Sequence, residues 1–307
     1  MQQASFSSIQ RICFIDILKG ILILFVILGH VLLGTLESNL LRYIIYAFHM
    51  PLFFSISGYL LNYKKLREIS FIALVKKYIF RIIIPFFIAF VFFNAFIFLS
   101  KGYIAGLYYH LWFIPCYLYC IFTFWILSKI SKSIILPFVF SVVVYIFFSF
   151  VPKFDFINSI KDILHPSYIF WFCLGMLYRH YKFEYKKINN MLLVIFVLIY
   201  TCIFFIPDIL PYAKIPCSFL LNMSLIYFVL SHLYYSYENP FLYYIGVNSM
   251  GIYIWHVVPI LIAKYLFQTV EYYYIACIVF LLIFFFIFNI LNKISFIKKY
   301  IFGGVQN

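Results

Sequence analysis

Charge is what this sequence most lacks: 10% of its 307 residues are Asp, Glu, Lys or Arg, and nine are acidic. Soluble globular domains carry about 25%, so a chain this long cannot cover itself with a water-facing surface. Strict alternation of apolar and polar residues is also missing, which excludes a transmembrane barrel. The seven cysteines (Cys13, Cys116, Cys120, Cys173, Cys202, Cys217 and Cys277) show no CxxC spacing, so neither a disulfide framework nor a zinc site is indicated. Cys116 and Cys120 share a helix face and are expected to pack. HExxH, GxxxxGK[ST] and GxGxxG are all absent, and neither a metal nor a nucleotide loop is expected. No internal repeat and no pair of Gly/Pro-broken helices is evident, and Gly303-Gly304 reads as a flexible tail.

What the sequence does have is apolar length. Hydrophobic residues make up 66% and aromatics 24%, in continuous runs near the roughly 20 residues that cross a hydrocarbon core. Only helices satisfy their backbone there once a barrel is excluded. The expected fold is an all-α polytopic bundle of about ten spans, over 12–34, 40–62, 79–99, 111–128, 134–151, 164–180, 190–207, 214–234, 248–267 and 272–292. The sixth is short and starts beside Pro166, so a kinked or partial span is expected. The first contains Asp16 and Lys19 and lacks a small-residue cleavage site, so it is expected to remain as a helix. Connections are short, the longest about 152–163, and 1–307 is read as one membrane domain with a core of about 11–293 and no soluble appendage.

Cationic loops stay in the cytoplasm. With the N-terminus inside, 17 of the 23 Lys and Arg residues fall in the cytoplasmic half, including Arg11, the group Lys76, Lys77 and Arg81, and Lys182, Lys186 and Lys187. Only Arg42, Lys101, Lys153, Lys161, Lys214 and Lys264 fall outside. Both termini are therefore expected in the cytoplasm, and topology accounts for the net charge of +14 without nucleic acid.

An ionisable group inside a span costs at least about 2.5–3.5 kcal/mol, so each needs a reason. Asp16, Lys19 and His30 share a face of the first helix, because the eleven steps from Lys19 to His30 leave about 20° of rotation and cover about 16 Å. One reading is an interfacial ion pair with a hydrogen-bonded core histidine. The other is a cation holding the phosphates of a cytoplasmic donor whose flexible arm ends at the imidazole. His49-Met50-Pro51 with Ser55, Ser57, Gly58 and Tyr59 forms a polar stripe on the second helix, for which close helix packing is an equal explanation. His110-Leu111-Trp112-Phe113, and Tyr253 with His256, add polar groups that can line one cavity with His30 and His49.

In this order the residues resemble the acyltransferase-3 family of membrane acyltransferases, in its sugar O-acetyltransferase-like branch. Asp16-Ile17-Leu18-Lys19-Gly20 through Gly29-His30 is similar to the family's opening signature, and Phe48-His49-Met50-Pro51-Leu52-Phe53-Phe54 to Ser57-Gly58-Tyr59 to its second-helix signature. Lys76-Lys77 with Arg81 and Pro85, His110-Leu111-Trp112-Phe113, Phe172-Cys173-Leu174-Gly175 with Tyr178-Arg179, and Ser249 through His256 resemble its third, fourth, sixth and ninth helices. Lys19 stands where the family has arginine, which keeps the charge and loses the bidentate fork. The paired arginines before the third helix become Tyr78 and Arg81, with Lys76 or Lys77 taking the first position.

The resemblance implies ten core helices and transfer of an acyl group, usually acetyl, from cytoplasmic acyl-coenzyme A. The acceptor it implies is a sugar hydroxyl of a cell-surface polysaccharide or its lipid-linked precursor, at a bacterial plasma or inner membrane. His30 is then the expected general base, or alternatively an acyl-carrying nucleophile, with Asp16 orienting Lys19. Lys19, Lys77, Arg81 and Arg179 are the expected donor-binding cations. His49, Ser57, Tyr59, His110, Trp112, Tyr253 and His256 are the expected acceptor-binding residues. Membrane lipid and the glycan are the expected partners, and a homo-oligomer is compatible with the sequence. The competing class is a transporter or flippase for a lipid-linked sugar, without acyl transfer.

Overall fold

Proline and asparagine punctuate this chain more than glycine does, and their positions set its helix boundaries. The computed structural model describes residues 2–104, 106–107, 110–150, 155–181, 188–206, 208–232 and 238–304, with side chains described from residue 13 onward other than those of 150, 155–159, 188 and 211. Every regular element among them is helical: α1 (Gln2–Val31), α2 (Leu40–Leu60), α3 (Tyr63–Glu68), α4 (Phe71–Tyr78), α5 (Ile84–Lys101), α6 (Phe113–Ile130), α7 (Ile135–Phe150) and α8 (Asp155–Leu164) in the first half. There follow α9 (Tyr168–Tyr181), α10 (Ile188–Phe204), α11 (Leu210–Ser231), α12 (Pro240–Val247), α13 (Ser249–Trp255), α14 (Val257–Leu266), α15 (Val270–Leu291) and α16 (Ser295–Tyr300). Asn39, Asn62, Ser70 and Asn239 cap α2, α3, α4 and α12 by accepting from the N–H three residues on, the role short polar side chains favour at a helix start.

Among the described residues, seven segments are long and apolar enough to cross a membrane, and Ile135–Ser149 and Asn189–Phe204 are shorter apolar helices. The expected sixth span begins late. Pro166 disfavours helical geometry at the residue before it, His165 takes a φ of 40°, and α9 starts at Tyr168. The expected connection at 152–163 is helical from Asp155 onward. Lys153, Lys182, Lys186 and Lys187, which enter the charge asymmetry, lie outside the described residues, as does the side chain of Arg11.

Two helix pairs carry the closest packing. A Cβ on Gly58 would overlap the Phe172 carbonyl, and one on Gly175 would overlap the Ser55 carbonyl, so α2 and α9 meet backbone to backbone. Gly20 and Gly246 do the same for α1 and α12, against Leu242 and Asp16. Small residues at both sides of a crossing are how helices associate where lipid gives no hydrophobic drive.

Prolines loosen three helices, and each freed carbonyl lies near the features described below. Proline offers no N–H to the carbonyl four residues back. Pro51 frees Ala47, whose oxygen accepts from Asn222 Nδ2 at 2.8 Å. Pro85 frees Arg81, in a π-helical turn over Ile79–Ile83. Pro259 frees Trp255, and the expected ninth span breaks at His256 between α13 and α14. No pair of Gly/Pro-broken helices is evident in the sequence; in the structure the irregular turns at Ile79–Ile83 and His256 precede Pro85 and Pro259, within segments that each run as one span, Phe71–Lys101 and Ser249–Leu266.

Gly303 is no loose tail. It is buried, at a φ of 67°, with its Cα against the freed Arg81 carbonyl and a Cβ position 3.3 Å from Pro85 Cγ. Neighbouring Phe302 stacks on Phe288 at 4.3 Å between ring centroids.

Candidate active site

His30 is the last polar residue of α1, and α1 runs unbroken from the Asp16–Lys19 pair to it. Three other elements bring histidines alongside. His49 comes from the Pro51 region of α2, His110 from the turn ahead of α6, and His256 from the α13–α14 break. The His30 and His256 rings are 5.3 Å apart, and His110 and His256 are 5.8 Å apart. His30, His49, His110, Trp112 and Tyr253 line a cavity of about 80 Å³ with Tyr46 and Tyr168, closed on its apolar side by Val26 and Met50.

Backbone carbonyls fix three of the imidazoles. A carbonyl only accepts, so the ring nitrogen facing it carries hydrogen. His49 Nδ1–H donates to Ile45 at 2.6 Å, and its Nε2 is left with a lone pair when the ring is neutral. His256 Nδ1–H donates to Tyr253 at 2.8 Å, and its buried Nε2 has no hydrogen-bond partner among the described residues. His110 Nε2–H donates to Ile254 at 3.0 Å, while the Tyr253 hydroxyl donates back to the His110 carbonyl. Trp112 is held by His165 at 4.2 Å and Tyr168 at 5.2 Å. No group of three His, Cys, Asp or Glu among the described residues is arranged to hold a metal ion.

At the other end of α1, Lys19 Nζ and Asp16 Oδ1 pair at 2.6 Å, each side chain 15% exposed. Lys77 precedes the π turn and Arg81 lies within it, and Lys77 Nζ is 5.4 Å from the centre of the Tyr78 ring. From there aromatic rings run through the bundle. Tyr78 meets Tyr117 at 6.3 Å, Tyr117 meets Phe113 at 5.8 Å, and Phe113 meets Tyr253 at 5.3 Å, beside His110.

The family model described as Acyltransferase domain, acyltransferase 3, matches residues 13–291. The chain belongs to the acyltransferase-3 family. Its helical architecture and apolar spans agree with a membrane acyltransferase. No curated protein and no solved structure matches the chain.

Not every residue expected in this acyltransferase's site reaches the cavity. Ser57 donates to Phe53 of its own helix at 2.9 Å. Tyr59 packs near Tyr178, ten residues beyond His49 and so about 15 Å further along α2. His256 stands against His30 and His110 but is not part of the cavity wall. Arg179 donates from one guanidinium nitrogen to the Tyr59 and Leu60 carbonyls at 3.1 and 2.9 Å, capping the end of α2. Tyr46 and Tyr168 were missed. Tyr46 is one turn before His49 on the same face, a signal present in the sequence; Tyr168 arrives from α9, and nothing local announces it.

Proposed function

We propose that this acyltransferase moves an acyl group, acetyl in the simplest case, from acyl-coenzyme A to a sugar hydroxyl of a cell-surface polysaccharide or its lipid-linked precursor. It would do so as a ten-span protein of a bacterial plasma or inner membrane with both termini in the cytoplasm. The observation that carries this reading is the convergence of His30, His49 and His110 on one cavity, about 16 Å along α1 from the Lys19–Asp16 pair. Donor phosphates bind Lys19, Lys77 and Arg81, and the thioester arm follows the aromatic wall from Tyr78 to Tyr253. His30 takes the proton of the acceptor hydroxyl as its oxygen attacks the thioester carbonyl. The carbon–sulfur bond then breaks, and the coenzyme A thiolate leaves and recovers a proton. His49, with only an acceptor nitrogen left, and Trp112, with a broad aromatic face, suit a sugar. If His30 instead carries the acyl group covalently, an acyl-imidazole accumulates when donor is supplied without acceptor.

The breaks at the π turn and at His256 are the features that a sugar carrier would share. Mass analysis of cell-surface glycans from cells with and without this protein separates the two readings. Loss of one acyl mass from one sugar supports transfer. Loss of the whole sugar unit from the surface, with no acyl difference, supports a carrier.

A further inference from the structure

Arg42 belongs to neither group of residues above, yet it stands beside the cavity. It lies in the first turn of α2, seven residues and about 10 Å of helix rise before His49. Its guanidinium is 5.3 Å from the centre of the Tyr46 ring, and Tyr46 both lines the cavity and meets His49 edge-on at 5.2 Å. One guanidinium nitrogen donates to the Gly34 carbonyl, while Nε is buried and has no hydrogen-bond partner among the described residues. No carboxylate among the described residues pairs with Arg42. Glu37, the nearest acid in sequence, is held below the usual carboxylate range by hydrogen bonding to its own backbone and to Thr35 and, less strongly, by Lys214. The other outer-half cation nearby, Lys214, lies 5.7 Å from the centre of the Tyr43 ring.

An arginine held against an aromatic face with donors to spare and no acid is a site for a planar or tetrahedral anion. We propose that Arg42 binds an anionic group of the acceptor, so that this site selects acidic or phosphate-bearing glycans over neutral ones. The inference rests on the acceptor cavity of the proposed function. The same chemistry is offered by a sugar's own carboxylate and by the diphosphate linking a sugar to its lipid carrier. An anion on Arg42 sets the acceptor's register, with Tyr46 and His49 between the anchored group and the hydroxyl presented to His30.

The test is equilibrium binding to the full-length protein in nanodiscs of neutral lipid, without acyl donor, so that the outcome does not depend on transfer. Two matched pairs of probes are compared: a disaccharide ending in glucuronate with its neutral glucose counterpart, and glucose on a short prenyl diphosphate with the same prenyl glucoside lacking phosphate. A charge-assisted hydrogen bond is worth about 1.5–3 kcal/mol, so one anionic probe is expected to bind about ten- to a hundredfold tighter than its neutral match. Which one does so identifies the source of the anion. Arg42→Gln, which retains a donor for Gly34, is expected to erase that preference, and Arg42→Lys to keep part of it. Equal binding of charged and neutral probes, or a preference that survives Arg42→Gln and disappears in Lys214→Gln, overturns the proposal. A charge preference at Arg42 in a protein that transfers no acyl group would instead leave the anion site standing and remove the acyltransfer reading.

Discussion

A histidine whose Nδ1–H is already given to a backbone carbonyl has one thing left to offer, the lone pair on Nε2. His256 is in that state against His30, and it can accept an N–H from His30 and so select which nitrogen remains the base. In the proposed mechanism His256 is then a positioning residue. General-base catalysis contributes about 10²–10⁴ in rate, so His256→Ala is expected to lower kcat about tenfold or more at unchanged acceptor KM, with partial rescue in His256→Gln, whose amide oxygen also accepts. A change confined to KM would return His256 to acceptor binding. Lys19 needs a paired experiment, because removing it alone leaves the half-buried Asp16 carboxylate without its ion-pair partner. Asp16→Asn with Lys19→Gln is expected to insert normally and to raise donor KM about ten- to a hundredfold; Lys19→Arg is expected to retain activity. Donor KM unchanged in the double variant would remove the phosphate role. Asp16, Lys19 and His30 were legible in the sequence because a helix converts spacing into direction. Ser57, Tyr59 and Arg179 were not, because only the neighbouring helix decides whether a polar group faces a cavity, its own backbone or a helix end.

At the scale of elements, proline explains more of the site than hydrophobicity does. Pro259 opens the turn at which His256 sits, and Pro85 leaves the Arg81 carbonyl free for Gly303 to approach. The C-terminal segment thereby becomes a strap over the π turn. It is fastened by Phe302 on Phe288 and by Trp255 Nε1, which donates to the Ile301 carbonyl at 3.3 Å. Gly303→Val meets both a left-handed backbone and the Arg81 carbonyl. It is expected to raise donor KM severalfold and to change acceptor affinity less, since Gly303 itself meets the Arg81–Pro85 turn and the strap reaches the histidine side only through Trp255. Equal loss of affinity for both substrates would mean general destabilisation instead. The prolines were visible in the sequence, but the strap was not: Gly-Gly at a chain end reads as flexible until the surface it covers is known.

For the whole molecule, apolar length and helical class followed from composition, since a chain with 10% charge has no other stable solvent than lipid. Sidedness rests on the asymmetry of Lys and Arg, which is independent of packing. In intact cells, Lys101→Cys is expected to react with a membrane-impermeant maleimide and Lys132→Cys to react only after permeabilisation, in a background lacking exposed Cys202. The reverse pattern would invert the bundle and put the Lys19 end outside, away from any cytoplasmic donor. Seven long spans and two shorter apolar helices are present among the described residues, and the expected sixth span corresponds to α9, which starts late, just after Pro166.

The most direct test of His30 as the centre of the reaction is transfer of labelled acetyl from acetyl-coenzyme A to extracted glycan by membranes holding equal amounts of wild-type protein and His30→Ala. Wild-type membranes are expected to label the glycan. The variant is expected to fall by at least about a hundredfold, the lower reach of general-base catalysis, while remaining inserted and abundant. Labelling by the variant at the wild-type rate would contradict the account.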